Sequence, residues 1–146
     1  MITARTIARE TISFDEESIP QLLPGTVLVQ VHAVSLCGTD LHIYEDDFPT
    51  DLPIVQGHEL SGRVLEADPA SGFAAGDRVV VDPLIACRQC RVCQSGRHNV
   101  CPHLSVLGCY TDGGFTEVLR VGADRLHHVP TGLPLDVAAM SEPASI

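Results

Sequence analysis

Four of the chain's six cysteines fall in one short stretch, as Cys87, Cys90, Cys93 and Cys101, in the spacing Cys-x2-Cys-x2-Cys-x7-Cys. The region around them, Ala86–Leu104, is rich in Cys, Arg and His and has little apolar periodicity. No packed core can organise such a segment, but a bound metal can. Zinc takes four soft ligands in a tetrahedron, with Zn–S distances of about 2.3 Å. The two x2 spacings bring three thiolates round one tight turn, and the longer loop returns the fourth. A site with four protein ligands is closed, so a zinc there holds structure and has no position open to a substrate. Arg88, Arg91 and Arg97 lie among the thiolates and offset their charge.

Two rivals stand beside zinc. An iron–sulfur cluster is one, because Pro102 follows Cys101 as a proline does in the bacterial ferredoxin run. The fourth cysteine of that run serves a second cluster, however, and Cys37 and Cys109 are too few to complete one. Disulfides or free thiols are the other. No secretory pattern of basic then apolar residues opens the chain and no apolar run reaches about 18 residues. The expectation is therefore a cytoplasmic protein with no membrane partner, where cysteines serve metals or catalysis before disulfides.

The chain has 146 residues, 45% hydrophobic and 19% charged, which suits one globular domain. Aromatic residues make up 4% and Trp is absent, so Val, Leu, Ile and Ala must build the core. Twelve Gly and ten Pro favour turns and short strands over long helices. Strands are expected at Thr26–Ser35, Leu60–Ala67, Asp77–Asp82 and Phe115–Val121, each preceded or separated by turn signals. Leu41–Leu52 reads as an acidic loop, and Leu135–Met140 as the start of a helix. The fold class is mainly β, a barrel or sandwich with short helices. No Gly-x-Gly-x-x-Gly and no strand–glycine–helix unit is present to cradle a pyrophosphate. The net charge of −10 repels phosphate backbones, which argues against a nucleic-acid zinc ribbon.

Two further motifs carry polar chemistry: Cys37-Gly38-Thr39-Asp40-Leu41-His42 and Gly57-His58-Glu59. Glu142 adds a third acid near the end. Cys, His and carboxylate together can hold zinc with one position open, the catalytic pattern.

With Gly76-Asp77-Arg78-Val79, the four-cysteine lobe and Gly113-Gly114-Phe115-Thr116-Glu117, these motifs make the chain resemble a known family. It is similar to the N-terminal, GroES-like domain of the zinc-dependent medium-chain alcohol dehydrogenases, from about Ile2 to the last residue. Cys37-Gly38-Thr39-Asp40-Leu41-His42-Ile43-Tyr44 and Glu142-Pro143 look most like the polyol, butanediol and threonine dehydrogenase branch. The resemblance implies a GroES-like β-barrel over residues 1–146, with a zinc lobe at about 84–106. It implies Cys37 and His58 as ligands of a catalytic zinc, Glu59 as an acid that ligates that zinc directly or lies just behind it, and Glu142 as the position that supplies another ligand or holds the zinc-bound water. Thr39 is then the hydroxyl that meets the substrate oxygen, His42 the far end of a proton relay, and Asp40 the carboxylate that orients the His58 ring. A second, structural zinc belongs to Cys87, Cys90, Cys93 and Cys101.

The implied activity is hydride transfer from a small alcohol, diol, polyol or amino alcohol to NAD or NADP. The nucleotide-binding domain for that cofactor is absent from the chain, which therefore reads as a fragment that is inactive alone and belongs to a homo-oligomer at full length. The alternative is a zinc-binding GroES-like interaction module without catalysis. Bland readings cover the rest. Cys109 is a buried small residue, and His127 and His128 lie at a strand exit. His98 and His103 are alternative zinc ligands, and Glu45–Asp51, with Tyr44 beside it, is a solvated surface near the substrate cleft.

Overall fold

The computed structural model describes residues 1–145; Ile146, the last residue of the expected domain, lies outside them. The architecture is mainly β, as expected. Strands β1 (Ile2–Ala8) and β2 (Thr11–Glu16) form a hairpin, followed by β3 (Thr26–Ser35) and helix α1 (Gly38–Tyr44). Then come β4 (Glu59–Ala67), β5 (Arg78–Val81), β6 (Leu84–Ile85) and α2 (Arg91–Gln94). The chain continues through β7 (Ser105–Val106), β8 (Val118–Gly122), β9 (Leu126–His128) and α3 (Leu135–Ala138). Among the described residues no helix is long and apolar enough to cross a membrane.

The central sheet is antiparallel, in the order β8-β3-β4-β5-β9, and β6 pairs with β7 in a short ribbon. Register shifts at Leu28/Val29 and Val31/Ala33 bend β3 against β4. Its inner face packs Val27 and Val29 against Leu60, Val64, Val79, Val81, Leu119, Val121 and Leu126. Each such Val or Leu, once fully buried, contributes about 1.5–3 kcal/mol. The core is aliphatic, as the composition requires.

Several expectations shift at their edges. Phe115–Glu117 does not belong to the strand, which begins at Val118. Those residues instead bond β1, Phe115 O accepting from Ala4 N at 2.8 Å and Ile2 O from Glu117 N at 3.2 Å. The first four residues of the expected loop Leu41–Leu52 belong to α1. The helix begun at Leu135 runs to Ala138 and tightens into a 3-10 turn over Ala139–Ser141. The hairpin β1–β2 has no counterpart in the sequence reading.

Candidate metal centre

In the lobe, Cys90 caps α2, its sulfur accepting from Cys93 N–H at 3.4 Å. Cys93 sits within α2, and Cys101 follows a 3-10 turn over His98–Val100. The four Sγ atoms all lie within 4.8 Å of one another. Cys87–Cys93 and Cys90–Cys101 are 3.9 Å apart, and Cys101–Cys87 is 3.5 Å. A tetrahedron with metal–sulfur bonds of about 2.3 Å has edges of about 3.8 Å, so the set fits a single zinc ion. The separations are far from the roughly 2.05 Å of a disulfide, and all six cysteines are free. Backbone N–H groups of Gln89 and Cys90 hold the Cys87 thiol down at about 6, whereas burial pushes Cys93 up to about 12. Between the lobe and the turn that joins β8 to β9, Arg88 Nε meets Asp124 Oδ2 at 2.9 Å. Neither His98 nor His103 joins the four-sulfur group among the described residues.

The second cluster forms where two chain segments meet. Cys37 directly precedes α1, and His58 and Glu59 stand at the entry to β4. One ligand atom from each of Cys37, His58 and Glu59 lies within 4.8 Å of the other two. His58 and Glu59 are buried and Cys37 is partly open. The set of one thiolate, one imidazole and one carboxylate fits zinc with a position left over. Thr39 is one step along α1, its hydroxyl 3.6 Å from Cys37 Sγ. Glu142 stands outside the 4.8 Å group. Burial raises its carboxyl above the ordinary range; His58 pulls it down, while Glu59 and Asp82 push it up. His42 occupies the last turn of α1, exposed, with Nδ1 2.9 Å from Asp47 Oδ1.

Asp40 departs from its expected role. Its carboxylate is buried, but Oδ1 is 4.0 Å from His58 Nδ1, too far for a hydrogen bond. Instead Oδ2 accepts from Cys37 N–H at 2.9 Å and Oδ1 from Gly57 N–H at 3.3 Å. It ties together the backbone segments that carry Cys37 and His58. Cys109 is buried, as expected, with its Sγ 3.8 Å from His58 Nδ1. Burial, with Asp40, Cys37 and Glu142 adding, pushes its thiol up to about 11, so it stays protonated at neutral pH. The sequence reading passed over Gln56, which is buried and bonded to Asp40. Its signal was an amide at the end of the apolar run Pro53-Ile54-Val55, directly before Gly57-His58-Glu59.

Residues 23–131 match the family model for the alcohol dehydrogenase GroES-like domain. The chain is 38% identical over 133 residues to L-threonine 3-dehydrogenase of Pyrococcus horikoshii, covering 88% of the chain and 38% of that protein. It is 37% identical over 134 residues to sorbitol dehydrogenase of Halalkalibacterium halodurans, covering 89% and 39%. The crystal structure of galactitol-1-phosphate dehydrogenase from Escherichia coli superposes with a TM-score of 0.91 at 29% identity, covering 98% of this chain and 42% of that one. The chain thus spans about two fifths of the length of the relatives it matches. The matched span contains Cys37, His58, Glu59 and the whole cysteine lobe, and the chain belongs to the GroES-like domain family of the zinc-type alcohol dehydrogenases.

Proposed function

We propose that this chain is the metal-binding catalytic domain of an NAD(P)-dependent dehydrogenase acting on a secondary alcohol, polyol or amino alcohol. The observation that carries this reading is the convergence of Cys37, His58 and Glu59 on one point beside the Thr39 hydroxyl. The enzyme classes of its relatives, sorbitol and threonine dehydrogenases, support the substrate class. Cys37, His58 and Glu59 would hold a catalytic ion, with Glu142 as a further candidate acid, and the four cysteines of the lobe would hold a structural one. A zinc ion there supplies Lewis acidity to the substrate oxygen, which lowers the cost of removing its proton.

The chain's own residues do the rest. Thr39 Oγ1 accepts the hydroxyl proton of the substrate as it gives up its own. His42, one helical turn further on the same face of α1, receives the proton that Thr39 gives up and passes one on to water. The Asp47 carboxylate beside Nδ1 holds the ring for this exchange. Cys109, neutral and buried against His58, excludes water from that side of the site. The nicotinamide binds on a separate nucleotide-binding domain, and the whole enzyme is a cytoplasmic homo-oligomer.

Metal content of the chain and of Cys37→Ser and Cys90→Ser tests the assignment, by inductively coupled plasma mass spectrometry. The expected result is about two zinc per chain, with Cys37→Ser folded and short of one. About one zinc, unchanged in Cys37→Ser, refutes a metal at Cys37 and favours the non-catalytic module.

A further inference from the structure

We infer that Gln56 is a positioning residue for the Cys37–His58–Glu59 site, acting through Asp40 and anchored on Thr6 of β1; this rests on the reading that those three residues hold a metal. Cys37 and His58 come from different segments, one entering α1 and one entering β4. Their spacing depends on what joins those segments. The Asp40 carboxylate does so directly, bonding the amides of Cys37 and Gly57. Such a staple works only if Asp40 itself is held.

Gln56 holds it. Its Nε2 donates to Asp40 O at 2.7 Å and lies 3.4 Å from Asp40 Oδ1. Both of those atoms only accept, so the amide nitrogen must face Asp40. The Gln56 Oε1 is thereby turned to Thr6, whose hydroxyl donates to it. Gln56 and Thr6 are each 2% exposed, so no water substitutes for either partner. Thr6 is fixed in turn, since its backbone exchanges two hydrogen bonds with Ile54, at 2.9 and 3.0 Å. The Gln56 carbonyl accepts from Phe115 N–H at 2.9 Å. The Gln56 side chain therefore links β1 to the first turn of α1, while its backbone carbonyl holds the 113–115 segment. Every hydrogen-bonding group in the chain Thr6–Gln56–Asp40 is matched, and loss of the middle member leaves buried groups unpaired at both ends.

Cobalt(II) titration tests this, with the four-cysteine lobe first filled with zinc and the cobalt–thiolate absorption band as readout. The band that the unaltered chain shows must vanish in Cys37→Ser. Gln56→Met keeps the length of the side chain and removes its bonds. It is expected to weaken cobalt binding about tenfold, the lower end of what outer-shell partners of metal ligands contribute. It also shifts the band while lobe zinc stays at one per chain. Thr6→Val touches no ligand, yet is expected to weaken cobalt in the same direction by a smaller factor. The double variant is expected to be no weaker than Gln56→Met alone. A Cys37-dependent band with unchanged affinity and position in both single variants, even with lowered melting temperatures, overturns the inference and leaves Gln56 as packing. A band indifferent to Cys37→Ser overturns the metal reading itself, and this inference with it. If Gln56→Met does not fold, Thr6→Val decides.

Discussion

A Cβ built on Gly57 would lie 2.7 Å from the Phe115 ring and 2.9 Å from Val34, at a φ of +91°. Both neighbours are fixed, Phe115 by its bond to Gln56 O and Val34 by its place in β3. Gly57→Ala is therefore expected to cost about 2–4 kcal/mol, overpacking and left-handed strain together. Urea unfolding measures it, and a loss under about 0.5 kcal/mol would show that the segment relaxes freely, as surface positions do. The ligand types Cys37, His58 and Glu59 stood out in the sequence because few other residues bind zinc. The role of Asp40 did not, because a carboxylate three residues after a cysteine says nothing about which donors face it. Those donors are amides of Cys37 and Gly57, and the imidazole is set further off. The position of Gln56, an amide ending an apolar run, was a signal, but its partners were not legible, since Thr6 and Asp40 are remote in the chain.

The cysteine lobe contains only a four-residue helix, a 3-10 turn and the two-residue strands that flank it. Nothing but Cys93 and Cys101 is buried between Arg88 and Pro102. With so little core of its own, the lobe is expected to be ordered by the proposed ion: chelation should erase amide protection across 86–104 and leave β3, β4 and β5 protected in hydrogen exchange. Equal protection with and without metal would show that the lobe folds unaided. Near neutral pH the metal-free lobe carries Cys87 as thiolate and Cys93 as thiol. Zinc uptake must then release protons, and an indicator dye in weak buffer reads them; no release would contradict the thiol at Cys93.

Long strands were legible where β-branched runs follow turns, as in β3. The hairpin β1–β2 was not, because Ile7, Ile12 and Phe14 remain exposed and its alternation points at no core. The turn after β4 adds a pH dependence. Asp68 accepts from the N–H groups of Gly25 and Ala70, which holds its carboxyl below the ordinary aspartate range. A depressed carboxyl stabilises above its unfolded pKa and loses that contribution as pH falls through the folded value. Asp68→Asn should thus be less stable than the parent at about pH 6 and equal to it in the acid limit. A constant difference across that range would rule out the charged form as the source.

The net charge of −10 understates how little positive surface the molecule offers. All nine basic residues are arginines. Arg5 is paired with Glu17 and Asp112, Arg9 with Glu10, and Arg88 with Asp124. Arg63, Arg78 and Arg120 donate to backbone carbonyls, and Arg125 is half-buried beside Asp124 and Asp82. Arg91 and Arg97 alone have no such partner among the described residues, and both stand in the thiolate lobe. A polyanion would need a contiguous row of free cations, each displacing a counterion, and the described residues form none. A zinc-lobe protein of this composition is therefore expected to flow through immobilised duplex DNA even at about 50 mM salt, well below physiological ionic strength. The same excess of acid repels itself across the folded surface. Raising salt from about 0.01 M to about 0.15 M shortens the screening length from about 30 Å to about 8 Å, which relieves that repulsion and should raise the melting temperature. A fall in melting temperature over this range would mean that the ion pairs of Arg5 and Arg88 outweigh the repulsion, and that the charge is arranged to attract on balance.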